Sequence, residues 1–351
     1  MDFSPTLYGI VKSNRTPRNF FGKNQFNSSF PVALACYMRD TGVKAVYLHV
    51  NKKLRVVCSE ISFDEVFNTS LPNGDLTFNF ESKFEPYQVY AYNDIKGIDL
   101  VVKHGESWLR PLEIKLTVIP DNSTYKDDEA DWGTEIVIRP ASTKYCALGI
   151  AHSLNNNFDE IREIFEPVCQ GIEEWGNRTE IAANKEELLN AIDVFQEHFY
   201  KHQKPFLMQP IWKTDGKNPN LKDNAFDIFI WSDFALFRPF LDKARQSGEI
   251  TRFTRSSVRL ARILYELSTR RKTNIDKIYT EMAFGYQTDK EFAINGIVTR
   301  DYMKSPRRVT PILKREVLKK IMLNGAEKML SPERRFDQTI YFTTTNLFKE
   351  D

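Results

Sequence analysis

Short runs of alternating apolar and polar residues dominate the first half of the chain and predict β-strands. The first two flank a polar turn at 51–53 and predict a hairpin, and a later pair is joined by the glycine-containing HGES (104–107). The five runs are KAVYLHV (44–50), LRVVCSEI (54–61), IDLVV (98–102), LRPLEIKLTV (109–118) and TEIVIRP (134–140).

The spacing of apolar residues changes to a helical period after about residue 155. One further strand is predicted in this half, at AFDIFIWS (225–232). Helices are predicted at 31–42, where Pro31 and Gly42 suit a start and a stop, and at 158–168, 184–202, 256–271 and 313–330.

The order of these elements predicts an α/β fold in a single domain spanning residues 1–351. Within it we expect residues 30–150 to hold the core strands that carry the chemistry. Residues 240–335 are expected to form a helical, basic C-terminal part.

The composition indicates a globular protein, since 41% hydrophobic residues in 351 can fill a substantial core. The N-terminus lacks a basic head followed by an apolar run, and no stretch of roughly 18 uncharged apolar residues occurs. The four cysteines are far apart and form no CxxC pair. These features predict a cytoplasmic protein with reduced thiols and no membrane partner.

The small net charge of +2 hides a strong asymmetry. Residues 240–335 contain 22 Lys and Arg against 11 Asp and Glu, so the rest of the chain is acidic. A basic segment of this kind suits a polyanionic partner such as nucleic acid. The alternative is a charged helical surface that only contacts solvent.

Three of the charged residues in the predicted hairpin at 98–118 can converge. Strand alternation puts Glu113 and Lys115 on one face, and the hairpin brings Asp99 beside Glu113 if the register allows. Two close carboxylates suit Mg²⁺, and a neighbouring lysine can activate a water or balance charge on a phosphate. This combination predicts metal-dependent cleavage of a phosphodiester.

The Glu-x-Lys triplet carries little information by itself, because the chain contains a second one at Glu81-Ser82-Lys83. The setting distinguishes Glu113-Ile114-Lys115, which lies in an apolar strand with an acid in the strand before it. A cross-strand ion pair on an exposed sheet face is the alternative interpretation.

Asp99 together with Glu113-Ile114-Lys115 matches the signature of the PD-(D/E)XK nucleases. The longer stretches GIDLVV, PLEIKLTVIPDN and KNQFNSSFPVALACYM resemble the HindVP-type restriction endonucleases. The resemblance implies a restriction-endonuclease-like fold, a mixed central β-sheet flanked by helices, and Mg²⁺-dependent cleavage of both DNA strands. It also implies that Asp99, Glu113 and the Ile114 carbonyl bind the metal and that Lys115 is catalytic.

The resemblance leaves two questions about the metal site. Ile98 stands where the signature has proline, so Asp94 is an alternative to Asp99. Many relatives add an acid from an N-terminal helix, for which the candidates are Glu60, Asp64, Glu65 and Glu81.

The resemblance further implies recognition of a short palindrome, with GRCGYC the site associated with the group. A twofold homodimer reads a palindrome most simply, with each subunit cutting one strand. A cognate DNA methyltransferase is then the expected functional companion.

Candidate DNA contacts lie in the basic C-terminal part. Arg252, Arg255, Arg259 and Arg262 follow helical spacing and predict an outward-facing arginine stripe, with apolar residues on the opposite side. The alternative is a solvated face partly paired with Glu249 and Glu266. Two loops supply the other candidates, which are Arg270, Arg271, Lys272, Arg307 and Arg308.

Three functions therefore compete at the level of sequence. The first is a type II restriction endonuclease, and the second is a structure-specific or repair nuclease with the same core. The third is a DNA-binding protein without catalysis, whose charged strands only pair with each other.

Overall fold

The structure is a computed structural model that describes residues 38–39, 41–70, 76–115, 135–138, 140–214, 221–286 and 292–295. The strands are β1 (Ala45–Val50), β2 (Val56–Ile61), β3 (Leu76–Ser82), β4 (Ile98–His104), β5 (Ser107–Ile114), β6 (Glu135–Ile138), β7 (Pro205–Thr214), β8 (Leu221–Ser232) and β9 (Phe292–Asn295). The α-helices are α1 (Phe63–Phe67), α2 (Pro140–Ser153), α3 (Phe158–Cys169), α4 (Arg178–Ala183), α5 (Lys185–Phe199), α6 (Asp233–Arg245), α7 (Arg252–Arg270) and α8 (Ile275–Glu281). Short 3₁₀ turns occupy Glu85–Tyr90 and Asn155–Asn157.

Seven strands form one sheet in the order β2-β1-β8-β7-β5-β4-β3. The β1–β8 and β5–β7 pairs are parallel, and the other neighbours are antiparallel. Helices pack against this sheet, so the predicted mixed central sheet flanked by helices is confirmed. A separate antiparallel pair joins β6 to β9.

All the predicted strands form where the structure describes them, and so do three of the helices. The helix predicted at 313–330 lies outside the described residues, and so does most of the helix predicted at 31–42. None of the helices in the described ranges is long and apolar enough to cross a membrane.

The β4–β5 hairpin has the register on which the candidate site depends. Leu100 pairs with Leu112 and Val101 with Pro111, and the turn uses Gly105 at a φ of +53°. Continued by one residue, this register places Asp99 opposite Glu113. On its other edge β5 pairs with β7, so the strand that carries Glu113 lies inside the sheet.

The core fills the space between the sheet and the helices. Helix α6 contacts β1, β7 and β8, while α7 contacts α2, α3, α5 and α6. Large side chains that are almost fully buried include Phe165, Phe195, Phe234 and Trp231. Helix α7 is therefore an internal helix surrounded by other helices.

The end of α7 is joined to the segment that leads into β4. The helix ends at Arg271 in the left-handed region, with a φ of +63°. Thr273 then donates its backbone N–H to the Tyr90 carbonyl (3.0 Å) and accepts from the Tyr92 N–H (3.1 Å). Two distant parts of the sequence are thereby fixed to each other.

Asp233 is a buried carboxyl at the first position of α6. It accepts hydrogen bonds from the backbone N–H groups of Lys204 (3.0 Å) and Phe234 (2.9 Å). Burial raises its pKa from 3.8 to about 7, against the opposing effect of these hydrogen bonds and of Arg110. The folded protein thus keeps a proton here that the unfolded chain releases at lower pH.

We predict that Asp233→Asn changes the dependence of stability on pH. Because the folded pKa lies above the unfolded pKa, the contribution of Asp233 to stability falls as the pH rises from about 4 to about 7. Each unit of pKa difference corresponds to about 1.4 kcal/mol. The asparagine keeps an acceptor oxygen and does not ionise, so the variant should gain stability over the wild type as the pH rises. Chemical denaturation at a series of pH values measures this difference, and a difference independent of pH would contradict the raised pKa.

Candidate active site

The three charges of the β4–β5 hairpin meet on one face of the sheet. The Lys115 ammonium contacts Glu113 Oε1 directly and lies 3.7 Å from Asp99 Oδ2. The predicted convergence of two carboxylates and one lysine is therefore what the structure shows. The catalytic and metal-binding roles of these residues stay a prediction.

Each acid is held by an element other than its own strand. Asp99 Oδ2 accepts the backbone N–H of Ile114 on β5 at 2.9 Å. Glu113 Oε1 accepts the hydroxyl of Ser142, near the start of α2, at 2.9 Å. Two strands and one helix thus fix the positions of the carboxylates.

Burial decides against the interpretation as an ion pair on an exposed sheet face. Glu113 is only 6% exposed, and the side chains of Asp99 and Lys115 are 17% and 20% exposed. Helix α2 covers this face, since Ser142 reaches Glu113 from it. A buried carboxylate is costly unless charges and hydrogen bonds compensate it, and here Lys115 and Ser142 supply both.

The second Glu-x-Lys triplet lies in a different environment. Lys83 pairs with Asp94 at 2.6 Å, and both side chains are more than half exposed. Asp94 is therefore held at the surface by Lys83, whereas Asp99 contacts the Glu113–Lys115 pair. This geometry favours Asp99 over Asp94 as the partner of Glu113.

Three of the four candidates for an additional acid are described, and each has a partner outside the Glu113–Lys115 pair. Glu60 forms an ion pair with Lys44 (3.1 Å), Asp64 accepts the hydroxyl of Thr69 (2.9 Å), and Glu65 forms a capping box with Ser62 at the start of α1. The side chain of Glu81 lies outside the described residues. In the part of the chain that the structure describes, no group of three or more His, Cys, Asp or Glu could hold a metal ion.

The donor set nevertheless fits Mg²⁺. This ion is commonly bound through one or two carboxylates and keeps several water ligands. Asp99 and Glu113 provide two hard oxygen donors from neighbouring strands, and Lys115 lies between them. The absence of sulfur and imidazole ligands among these residues disfavours zinc.

The arginine stripe on α7 does not face outward as predicted. Arg252 is exposed, but Arg255, Arg259 and Arg262 are 3%, 5% and 7% exposed. The residue spacing did predict one shared helix face. It missed that α8 and its flanking residues cover this face, so three of the four arginines are interior side chains.

These buried arginines are stabilised by specific partners. Arg262 pairs with Glu266 (3.1 Å) and Glu281 and lies over the Trp175 ring. Arg259 donates to the carbonyls of Tyr279 (3.2 Å) and Met282 (2.6 Å). The pairing with Glu266 matches the alternative proposed for this face, although the face is buried rather than solvated.

The other predicted DNA contacts lie at the end of α7 and beyond. Arg270, Arg271 and Lys272 are exposed, and Arg271 lies over the Phe158 ring and 3.5 Å from Asp159. Arg307 and Arg308 lie outside the described residues.

Ser142 is a site residue that sequence reasoning missed. Helix α2 lacks an apolar stripe because nearly every described position from Ser142 to Ile150 is buried, which hides it from periodicity arguments. Pro140 at its first position was the available indication of a helix start.

Comparison with known proteins confirms the family that the sequence resembles. The family model described as HindVP restriction endonuclease matches residues 21–348. The chain belongs to the HindVP restriction endonuclease family. It is therefore a restriction endonuclease, which makes it a site-specific deoxyribonuclease.

Two curated relatives match along almost their whole length. "Type II restriction enzyme HgiDI" of Herpetosiphon aurantiacus is 37% identical over 352 residues, covering 99% of this chain and 98% of the relative. "Probable type II restriction enzyme HindVP" of Haemophilus influenzae is 34% identical over 354 residues, covering 99% and 96%. No solved structure matches this chain.

We predict that Arg262→Ala destabilises the fold while Arg252→Ala does not. Removing Arg262 takes a cation from Glu266 and one of two cations from Glu281, which also pairs with Lys277, and it uncovers the Trp175 ring. The loss should cost about 3 kcal/mol. Arg252 is exposed, so its loss should change the free energy of unfolding by less than about 0.5 kcal/mol. Urea denaturation compares the two variants, and equal effects would show that Arg262 is not a structural side chain.

Proposed function

We propose that Asp99, Glu113 and Lys115 form the Mg²⁺-dependent active site of a type II restriction endonuclease. The observation that supports this most directly is the meeting of the buried Glu113 with the partly buried Asp99 and Lys115 on the face that α2 covers. Asp99 and Glu113 would hold the metal, with the Ile114 carbonyl as a further ligand. The family assignment supports the reaction, which is hydrolysis of phosphodiesters in double-stranded DNA.

When bound, Mg²⁺ would supply a Lewis acid for the phosphate and would lower the pKa of a bound water. The protein would hold the Lys115 ammonium close to the phosphate and the attacking water. Lys115 is positioned by Glu113 and Asp99, so its ammonium can orient the attacking water and neutralise charge that develops on the phosphate. Ser142 keeps Glu113 in place by donating to Oε1, and the Ile114 N–H does the same for Asp99.

The family resemblance supports further proposals about the recognition site, the oligomeric state and the cellular context. We propose a palindromic recognition site, with GRCGYC as the first sequence to test, read by a homodimer in which each subunit cuts one strand. The chain would act as a single domain over residues 1–351 in the bacterial cytoplasm. A methyltransferase that modifies the same site would protect the host DNA.

The first test is cleavage of plasmid DNA. The wild type should cut at discrete positions with Mg²⁺ and stop with a chelator. Lys115→Ala and Asp99→Ala should lower the cleavage rate by roughly 10²–10⁴-fold while DNA binding is retained. Asp94→Asn is the matched control, because Asp94 pairs with Lys83 at the surface, and it should cut normally.

Several outcomes would overturn the proposal. A smear of products would contradict sequence-specific cleavage, and preferential cutting of branched or damaged DNA would indicate a repair nuclease. Unchanged cleavage in both site variants would remove Asp99 and Lys115 from the mechanism. If Glu113→Gln loses stability and Mg²⁺ has no effect on any variant, the three charges serve only the fold.

A second prediction concerns metal binding without catalysis. At a free Mg²⁺ concentration about 100 times the dissociation constant, the ion should stabilise the folded wild type by about 2.7 kcal/mol. Asp99→Asn should lose most of this gain, and Asp94→Asn should keep it. Thermal unfolding with and without the ion measures the effect. Equal stabilisation of all three proteins would place the metal elsewhere.

A further inference from the structure

A cavity of about 380 Å³ lies among α2, α7 and α8. Its walls combine cationic side chains with tyrosine and threonine hydroxyls. The described residues that line it include Lys96, Lys144, Tyr145, Arg255, Arg259, Asp276, Tyr279 and Tyr286.

The electrostatic character of the cavity is positive. Four cationic side chains line it against one carboxylate, that of Asp276, among the described lining residues. A hydrogen bond from Asn93 lowers the pKa of Asp276, so it is ionised at neutral pH and contacts the Lys144 ammonium at 3.2 Å. A concave surface with this excess of positive charge favours an anion.

Three of the four cations, Arg255, Arg259 and Lys144, are held by neighbouring side chains. The Arg255 guanidinium lies 4.4 Å from the centre of the Tyr286 ring, and that of Arg259 lies 4.3 Å from the Tyr279 ring. Lys144 is 8% exposed. Fixed donors lose little conformational entropy when an anion binds, which is an advantage for recognition.

The cavity and the three-charge site share two segments of the chain. On α2, Ser142 reaches Glu113, while Lys144 and Tyr145, within the next turn of the helix, line the cavity. Tyr145 donates its hydroxyl to the Gly97 carbonyl at 3.0 Å, and Gly97 lies between Lys96 of the cavity and Asp99 of the site. An anion in the cavity would therefore be a close neighbour of the reacting phosphate.

We propose that this cavity binds a backbone phosphate of the DNA strand that is cut, adjacent to the scissile phosphodiester. The inference rests on the nuclease function proposed above. Arg255 and Arg259 would then line a phosphate pocket. Their spacing had instead predicted an outward-facing stripe. Lys144 shares its ammonium between Asp276 and the phosphate, since an ammonium has three N–H donors.

The test measures DNA affinity without metal, so that cleavage does not enter. Binding of a short duplex is followed by fluorescence anisotropy from about 50 to about 200 mM salt. Lys144→Ala and Lys96→Ala should each bind about tenfold more weakly, and the slope of log K against log salt should become shallower by about 0.9. The loss should be equal for cognate and unrelated sequences, because a phosphate contact carries no sequence information.

Two further variants sharpen the result. Asp276→Asn removes the one carboxylate and should bind DNA several-fold more tightly. Lys277→Ala is the matched control, because Lys277 is the next residue on α8, is 66% exposed and does not line the cavity. Its affinity and salt slope should match the wild type. Thermal unfolding of every variant verifies that the fold is intact, and the exposed Lys96 tests the pocket even if Lys144→Ala fails to fold.

Three outcomes would overturn the pocket assignment. The first is a salt slope that is unchanged in Lys96→Ala and Lys144→Ala. The second is an equal change in Lys277→Ala, which would indicate only a general charge effect. The third is stabilisation by inorganic phosphate or a mononucleotide that depends on Lys144 while duplex affinity does not, which would indicate a site for a small free phosphate. If the wild type cuts DNA but the lysine variants have unaltered salt slopes, only the pocket assignment is contradicted. If the variants show the expected slopes but the wild type never cuts DNA, only the proposed nuclease centre is contradicted.

Discussion

The hydrogen bond from the Ile114 N–H to the Asp99 carboxylate is the interaction on which the geometry of the site depends. Neighbouring residues of a strand direct their backbone N–H groups to opposite edges. The backbone N–H of Lys115 donates to the Met208 carbonyl on β7. Ile114 therefore directs its N–H toward β4, where the carboxylate of Asp99 accepts it. One side chain thus satisfies a buried backbone donor and holds an acid beside Glu113.

Much of the sheet could be predicted from sequence because its strands alternate and its hairpins are local. Continued from the turn at Gly105, the register would place Asp99 opposite Leu112, and the irregularity between Val102 and Lys103 shifts it by one residue to Glu113. Local rules therefore predicted the hairpin, whereas the meeting of the three charges also depends on this shift. Helix α2 could not be found in that way. Its described positions are buried nearly all round, and the contact of Ser142 with Glu113 depends on the packing of a helix 29 residues away in sequence.

The arginines of α7 show a second limit of local rules. Helical spacing correctly places Arg255, Arg259 and Arg262 on one face, but spacing does not reveal which other segment packs on that face. Trp175 comes from before the helix, and Tyr279 and Glu281 come from after it. The basic charge of this segment therefore predicted a polyanionic partner. It did not distinguish the arginines that stabilise the fold from those that contact solvent.

The bridge between Thr273 and Ala91 links the basic helices to the strand that carries Asp99. Only a few residues separate Ala91 from β4, and Asn93 in that segment also donates to Asp276 on α8. The C-terminal end of α7 is thereby joined by hydrogen bonds to the segment that leads into the β4–β5 hairpin. The thermodynamic consequence is cooperativity, because elements joined by such hydrogen bonds are expected to unfold together and not one at a time.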